Sequence, residues 1–321
     1  MQKYISKLKV FNFIIFIILS LVSHRYVFGL SIDHPYFIPN FKDSILTIGA
    51  GNGHREIEYE NAGSKIDDQI YKFNESHLNY VVSPWDFLAL GLRLSYDFDR
   101  EYELKFGESS SRFGEDPVQS SSSGLLDPEL FFIYEFIPFK DSWSQQLVIG
   151  GNPFDIKEKP GKNYRGGNDV FVEYRFSKRR EDGYMYGKLF SNYYGKKRTF
   201  LPGDTRATKV ESFTEVGLQL GYLFKSYEKL SFLLEGVFAL SSDYNIETPE
   251  LTRTADKGFI IGGKIGVNYF LSSKTYVQVT FDKSSYIYNA TNEDLDQDID
   301  YEFENYTLNF NFSYLFGELI E

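Results

Sequence analysis

Tyr306-Thr-Leu-Asn-Phe-Asn-Phe-Ser-Tyr-Leu-Phe316 is a stretch whose alternate positions differ sharply in polarity. One set of positions is apolar or aromatic: Tyr306, Leu308, Phe310, Phe312, Tyr314 and Phe316. The intervening set is polar over most of its length: Thr307, Asn309, Asn311 and Ser313. Because successive side chains of a strand point to opposite faces, the stretch predicts a β-strand with one wholly apolar face.

The same period of two recurs along almost the entire chain. It predicts twelve strands, at Ser44–Tyr59, Gln69–Ser83, Phe87–Leu104, Leu126–Ile137, Trp143–Pro153, Asp169–Ser177, Tyr184–Gly195, Lys209–Phe224, Leu230–Ser241, Gly258–Leu271, Thr275–Tyr288 and Tyr301–Phe316. The third strand is the clearest, with Leu88, Leu90, Leu92 and Leu94 on one face and Arg93 and Asp97 on the other.

The connections between these strands alternate between long and short. The long ones are Glu60–Asp68, Lys105–Gly124, Phe154–Asn168, Lys196–Ala207, Ser242–Lys257 and Asn289–Asp300. The short ones are Pro84–Asp86, Pro138–Asp141, Lys178–Gly183, Lys225–Lys229 and Ser272–Lys274. Outer-membrane barrels have this layout, with short periplasmic turns, longer external loops and an even number of strands.

A continuous apolar face needs a core or lipid to cover it. A sheet in lipid must also close on itself, because a free edge would leave backbone groups without partners. Aromatic residues near strand ends, such as Tyr80 and Trp85, suit the two membrane interfaces. We therefore predict an all-β fold: a transmembrane antiparallel barrel of about twelve strands, with short periplasmic turns and long extracellular loops.

The last strand resembles the carboxy-terminal assembly signal of bacterial outer-membrane β-barrels, which alternates apolar residues and ends on an aromatic residue. Here the aromatic is Phe316, and the chain departs from the pattern by continuing over residues 317–321. The resemblance implies a location in the bacterial outer membrane, with its lipids and the barrel-assembly machinery as partners. Gly124-Leu-Leu-Asp-Pro128 also resembles a motif of the transporter barrels of the "MetA-pathway of phenol degradation" family.

The amino-terminal 29 residues have the pattern of a secretory signal peptide. Three lysines precede an apolar run from Phe11 to Val22, and Val27-Phe28-Gly29 offers a cleavage point. An uncleaved amino-terminal anchor is the alternative. We predict a signal peptide at 1–29, a periplasmic lead or lumen segment at 30–43, and the barrel at 44–321.

Charge and composition exclude several classes of function. Residues 1–29 contain four basic and no acidic residues, so the remainder carries 30 basic and 45 acidic groups. This excess of negative charge disfavours a nucleic-acid partner, since binding phosphates needs a basic surface. The chain has no cysteine, which excludes disulfides, thiolate catalysis and zinc-thiolate sites.

Charged residues on the polar parity of the strands are expected to face the lumen, because a basic residue facing the bilayer midplane costs about 2–4 kcal/mol. The candidate pore-lining residues are Arg93, Asp97, Glu129, Glu135, Glu173, Arg175, Glu215, Glu235, Lys264 and Asp282. One interpretation is a polar conduit that favours cations or neutral solutes. The other is a salt-bridged interior that fills a narrow barrel.

Histidine and serine together raise the possibility of a lipolytic barrel enzyme. His77 lies on the polar parity, next to Ser76 and near Asn79. Adjacent residues of a regular strand point to opposite faces, however, so His77 and Ser76 do not meet. We predict no catalytic residue and no enzyme.

Two further patterns are considered for cofactors and metals. Gly49-Ala-Gly-Asn-Gly53 lacks the spacing and the following helix of a phosphate-binding loop, so strand glycines are the better interpretation. Asp294, Asp296 and Asp298 resemble the start of a calcium loop, but Ile299 occupies the glycine position. A surface site for a divalent cation is the alternative to a solvated acidic loop. We predict neither a cofactor nor a metal.

The function predicted from these features is passive passage of small solutes across the outer membrane. A surface structural or adhesion protein that acts through its external loops is the alternative. A lipid-modifying enzyme is the third hypothesis.

Overall fold

The computed structural model describes residues 34–317 apart from 62, 109, 111–113, 137–142, 154–167, 201–206, 228, 248–251 and 293–296. The predicted signal peptide lies outside the described residues. The strands are β1 (Ser44–Asn61), β2 (Ser64–Trp85), β3 (Leu88–Phe106), β4 (Val118–Leu125), β5 (Glu129–Phe136), β6 (Trp143–Gly151), β7 (Val170–Arg180), β8 (Gly183–Tyr194), β9 (Lys197–Phe200), β10 (Ala207–Val210), β11 (Phe213–Tyr227), β12 (Leu230–Ser241), β13 (Tyr244–Glu247), β14 (Thr252–Ala255), β15 (Gly258–Ser272), β16 (Thr275–Asn292) and β17 (Gln297–Phe316). Among the described residues, no helix is long and apolar enough to span a membrane.

Twelve antiparallel crossings form one closed sheet. Five crossings are interrupted once, so that β4 and β5, β8 and β9, β10 and β11, β12 and β13, and β14 and β15 each make a single crossing. The barrel closes where β1 pairs with β17, from Ser44 opposite Phe316 to Glu60 opposite Asp300. The predicted all-β, twelve-stranded antiparallel barrel is confirmed.

The terminal strand β17 turns its apolar parity outward. Phe310 is 53% exposed, and Leu308, Phe312, Tyr314 and Phe316 are exposed with it. Exposed apolar residues at the same level on the neighbouring strands, such as Ile48 and Val279, continue the surface around the barrel. This apolar band is the surface that faces lipid.

Near the ends of the strands, several aromatic residues are exposed as expected for membrane interfaces. Trp85, Tyr80 and Tyr269 belong to this group. Phe270 differs, because it packs against a cluster inside the lumen rather than on the outer face. Its position follows from the alternation itself, since its neighbour Tyr269 points outward.

Several predicted loops are instead strand extensions. β1, β2, β3, β16 and β17 have 18 to 22 residues, whereas about 9–11 suffice to cross a membrane. The predicted loop Glu60–Asp68 contains the end of β1 and the start of β2, and Lys105–Gly124 contains most of β4. These extensions lie beyond the apolar band, where acidic residues such as Glu56, Glu58 and Glu304 replace the apolar residues of the outer parity.

Substituting the centre of the apolar band tests its orientation. Phe310→Arg places a charge near the bilayer midplane, and we expect it to lower the free energy of unfolding by about 2–4 kcal/mol. Tyr306→Arg, at the rim of the same face, should cost about 0–1 kcal/mol. Denaturant unfolding in lipid vesicles measures both, and equal costs would contradict the assigned depth.

Candidate functional site

Residues 34–43 enter the lumen at the end of the barrel that carries the short turns. Phe37 and Ile38 pack against a cluster inside the lumen formed by Ile45, Val81, Ala89, Phe131, Ile133, Val148 and Leu315. Tyr36 is 4% exposed and belongs to a second cluster, with Tyr184, Tyr186, Leu223 and Leu233. We call Tyr36, Phe37 and Ile38 with these two clusters the floor of the lumen.

Tyr36 is held from several strands at once. Nε2 of Gln146 on β6 donates a hydrogen bond of 2.8 Å to the Tyr36 carbonyl oxygen. The Arg175 guanidinium lies 5.1 Å from the centre of the Tyr36 ring, within the range of a cation–π contact. His34 and Tyr186 approach the same ring edge-on. Polar, cationic and aromatic contacts therefore fix this segment in the floor.

His34 is a buried structural residue of the floor. Its Nδ1 accepts a hydrogen bond from the Tyr36 backbone N–H at 3.0 Å, so the ring proton is on Nε2 and is donated to Ser177 Oγ at 3.0 Å. Burial, and secondarily the charge of Lys225, lower the pKa of His34 to about 3. An imidazole that already donates to the serine does not accept its proton, so this pair is not a catalytic dyad.

A cavity of about 850 Å³ occupies the lumen above the floor. Six of the predicted residues line it: Arg93, Glu129, Glu173, Arg175, Glu235 and Lys264. The other four also lie on the inner face. Three of those are almost fully covered by neighbours: Asp97, Glu135 and Glu215. Asp282 contacts the lining residues Lys264 and Asn309, at 3.1 and 3.2 Å.

Ion pairs join the predicted charges across neighbouring strands. Arg93 pairs with Glu129 at 2.6 Å. Lys264 lies 3.1 Å from Asp282 and 3.5 Å from Glu235. A salt-bridged wall therefore surrounds a polar cavity, so these ion pairs do not fill the lumen completely.

One of these ionic groups includes a residue that the sequence analysis missed. Glu173 pairs with Arg175 and also with Lys188 of β8, each at 2.5 Å. Lys188 lies in the seventh predicted strand, where the alternation is weak. Its position on the inward parity of that strand could have identified Lys188 as a residue of the lumen.

Other lining residues also escaped the sequence analysis, and they change the balance of charge. The acidic residues of the cavity wall are Glu75, Asp127, Glu129, Asp169, Glu173 and Glu235. The basic ones are Arg93, Arg175, Lys197 and Lys264. The wall therefore carries two more carboxylates than cationic side chains, and this local excess has the same sign as that of the whole chain.

A glycine on β1 lets residues of two other strands meet across it. His77 on β2 and Asn311 on β17 are both register partners of Gly49. Nε2 of His77 and Oδ1 of Asn311 are 2.6 Å apart, and a Cβ on Gly49 would overlap both atoms. Ser76 lies on the outward parity, so His77 bonds to an amide in the lumen and not to that serine.

The acidic pattern in the last long loop is described only in part. Asp298 and Asp300 lie on β17, while Asp294 and Asp296 lie outside the described residues. Within the described part of the chain, three acidic side chains approach as metal ligands would: Glu56, Glu58 and Asp68. Lys65 forms ion pairs with Glu58 and Asp68, at 2.8 and 3.2 Å, and so balances part of this charge.

Comparison with solved structures shows the fold of outer-membrane barrels. The COG4313 outer membrane channel from Pseudomonas putida F1 is 13% identical, with 89% of this chain and 100% of that chain covered and a TM-score of 0.57. The transport unit of the autotransporter AIDA-I from Escherichia coli is 9% identical, with 90% and 93% covered and a TM-score of 0.50. At these identities the likeness is one of fold. Together with the apolar band, it places the chain in the bacterial outer membrane, as predicted.

No protein-family model matches the sequence, and no curated protein matches it. The resemblance of Gly124–Pro128 to the "MetA-pathway of phenol degradation" barrels therefore remains a prediction. In the structure this motif contains the break between β4 and β5, where the Leu126 backbone N–H donates to the Ser95 carbonyl oxygen at 2.8 Å.

A glycine-to-alanine pair tests the packing of the floor. A Cβ on Gly221 would lie 2.5 Å from Cζ of Tyr186, whose hydroxyl donates to Glu235 at 2.7 Å. Since Tyr186 is fully buried, we expect Gly221→Ala to lower the free energy of unfolding by about 1–3 kcal/mol. Gly236→Ala is the control, because Gly236 is exposed and its added Cβ would meet its nearest neighbour at 4.0 Å. Comparable losses in a denaturant titration would contradict the packing described.

Proposed function

We propose that this chain is an outer-membrane channel for small polar solutes, with its short-turn end narrowed by the floor. The observation that carries the proposal is the cavity of about 850 Å³ in the lumen, lined by charged and amide side chains. An interior of polar side chains is typical of barrels that pass solutes. A protein of the same fold, the COG4313 barrel of Pseudomonas putida F1, is described as an outer membrane channel.

The charge of the wall favours cations over anions. The lining has two more acidic than basic residues, and several of its ion pairs leave part of each charge facing the cavity. Inside a narrow lumen with low-dielectric walls, such an excess raises the local concentration of cations. Passage is passive, and the candidate pore-lining residues act as a selectivity wall without catalysing a reaction.

A surface role is the second candidate, and the extended strands support it. β1, β2, β3, β16 and β17 project beyond the apolar band and carry acidic residues on their outer face, among them Glu56, Glu58 and Glu304. Such a wall at the cell surface suits contact with host or envelope components. Shortening the β1–β2 hairpin while keeping the barrel tests this role, because an adhesin would lose binding to its surface and a channel would keep its conductance.

The selectivity of the lumen can be measured directly. In planar bilayers under a tenfold KCl gradient, we expect a reversal potential of the sign that marks preference for K⁺. Glu129→Gln leaves Arg93 without its partner, so the reversal potential should move in the direction that marks preference for Cl⁻. Glu302→Gln removes an exposed carboxylate from β17 and should leave the reversal potential unchanged. Bilayers that stay silent with folded protein would refute the channel.

The floor should limit the current. Replacing Tyr36, Phe37 and Ile38 together by glycine removes the side chains that pack into the two clusters, so conductance should rise several-fold. Phe41→Gly is the matched control, since Phe41 belongs to the same segment but is 45% exposed. Equal conductance of the triple variant and the intact protein would show that the floor does not narrow the route of ions through the lumen.

A further inference from the structure

Glu75 is an unpaired carboxylate in the wall of the lumen. It lies on β2, lines the cavity and is half-buried. Among the described residues it has neither a hydrogen-bond donor nor a cationic partner. Other acidic residues of the same wall are paired, as Glu129 is with Arg93 and Asp169 with Lys197. Glu75 therefore differs from these neighbours in having its charge available to a solute.

The strand beside Glu75 adds a second negative charge. Asp97 on β3 is its direct register partner and is 0% exposed. Oδ2 of Asp97 lies 3.4 Å from Nε of Arg100 as an ion pair, and neither carboxylate oxygen of Asp97 has a hydrogen-bond partner in the described residues. Like charges directly opposite each other on neighbouring strands are destabilising. A cation bound at Glu75 would offset that repulsion.

On the side of Glu75 away from Asp97, a glycine leaves space for the side chain of an asparagine. Gly51 of β1 pairs in register with Glu75 on one side and Asn309 of β17 on the other. A Cβ on Gly51 would overlap Oδ1 of Asn309 and lie 3.5 Å from Cγ of Glu75. Nδ2 of Asn309 donates to Asp282 at 3.2 Å, so its Oδ1 remains as an acceptor over Gly51.

We propose that Glu75 and Asn309, on either side of Gly51, form a subsite for the primary ammonium group of small organic solutes. A primary ammonium carries three N–H donors, which match a carboxylate and an amide oxygen that both lack donors. The one close group of three potential metal ligands in the described residues, Glu56, Glu58 and Asp68, lies on the outer parity of β1 and β2, away from this subsite. The inference rests on the proposed function, because it names the class of solute that the lumen would pass.

Binding is tested without relying on ion current. Saturation-transfer NMR on the intact protein in detergent micelles should show 1,4-diaminobutane bound, and 1,4-butanediol of the same length should give a signal at least tenfold weaker. Glu75→Gln keeps the shape of the side chain and should reduce diamine binding at least tenfold. Gly51→Ala should reduce it as well, by displacing the Asn309 amide.

The matched control is Glu101→Gln, which removes the same charge from an exposed position on β3. It should bind the diamine as the intact protein does, and heat-modifiable migration confirms that each variant is folded. Equal diamine binding by Glu75→Gln and the intact protein would overturn the subsite, as would equal binding of the diol. Diamine binding by a barrel that conducts no ions would refute the channel and leave the subsite standing.

Discussion

The need to pair every backbone N–H and C=O group governs this structure. Hydrocarbon offers no hydrogen bonds, so a sheet that crosses a membrane has to close. Here the closure lies between β1 and β17, whose register runs unbroken from Ser44 to Glu60. Once the wall is closed, the period of two assigns each side chain to lipid or to the lumen. The exposed apolar band, the inward charges and the cavity all follow from that assignment.

The closed wall surrounds an interior, and the side chains that occupy it differ between the two ends of the lumen. At the short-turn end, Tyr36, Phe37 and Ile38 pack among apolar wall residues as in a protein core. Farther from that end, side chains pair around the wall, as in Arg93 with Glu129, and a polar cavity remains between them. Glycines aid both arrangements: Gly221 admits the Tyr186 ring, and Gly49 lets His77 reach Asn311.

The sequence predicts the parts of this molecule that lipid determines. Most strands alternate clearly within the apolar band, so their number, their pairing and the inward parity of residues such as Glu235 could be predicted. The outermost ends of the extensions and β4 were not predicted, because these segments are rich in polar residues and β4 reads as a polar loop. The floor was left open between two locations, because its contacts with Gln146 and Arg175 join residues more than a hundred positions apart. Glu75 was missed for a related reason: its lack of a partner becomes visible only when the register is known.

Accessibility along β17 tests the central claim that alternate residues face lipid and a water-filled lumen. The chain has no cysteine, so single cysteines at positions 307–314 can be spin-labelled without background. In vesicles, collision rates with oxygen should peak at positions 308, 310, 312 and 314. Rates with a water-soluble nickel chelate should peak at 307, 309 and 311. Uniform accessibility to either reagent, or the opposite phase, would contradict the account.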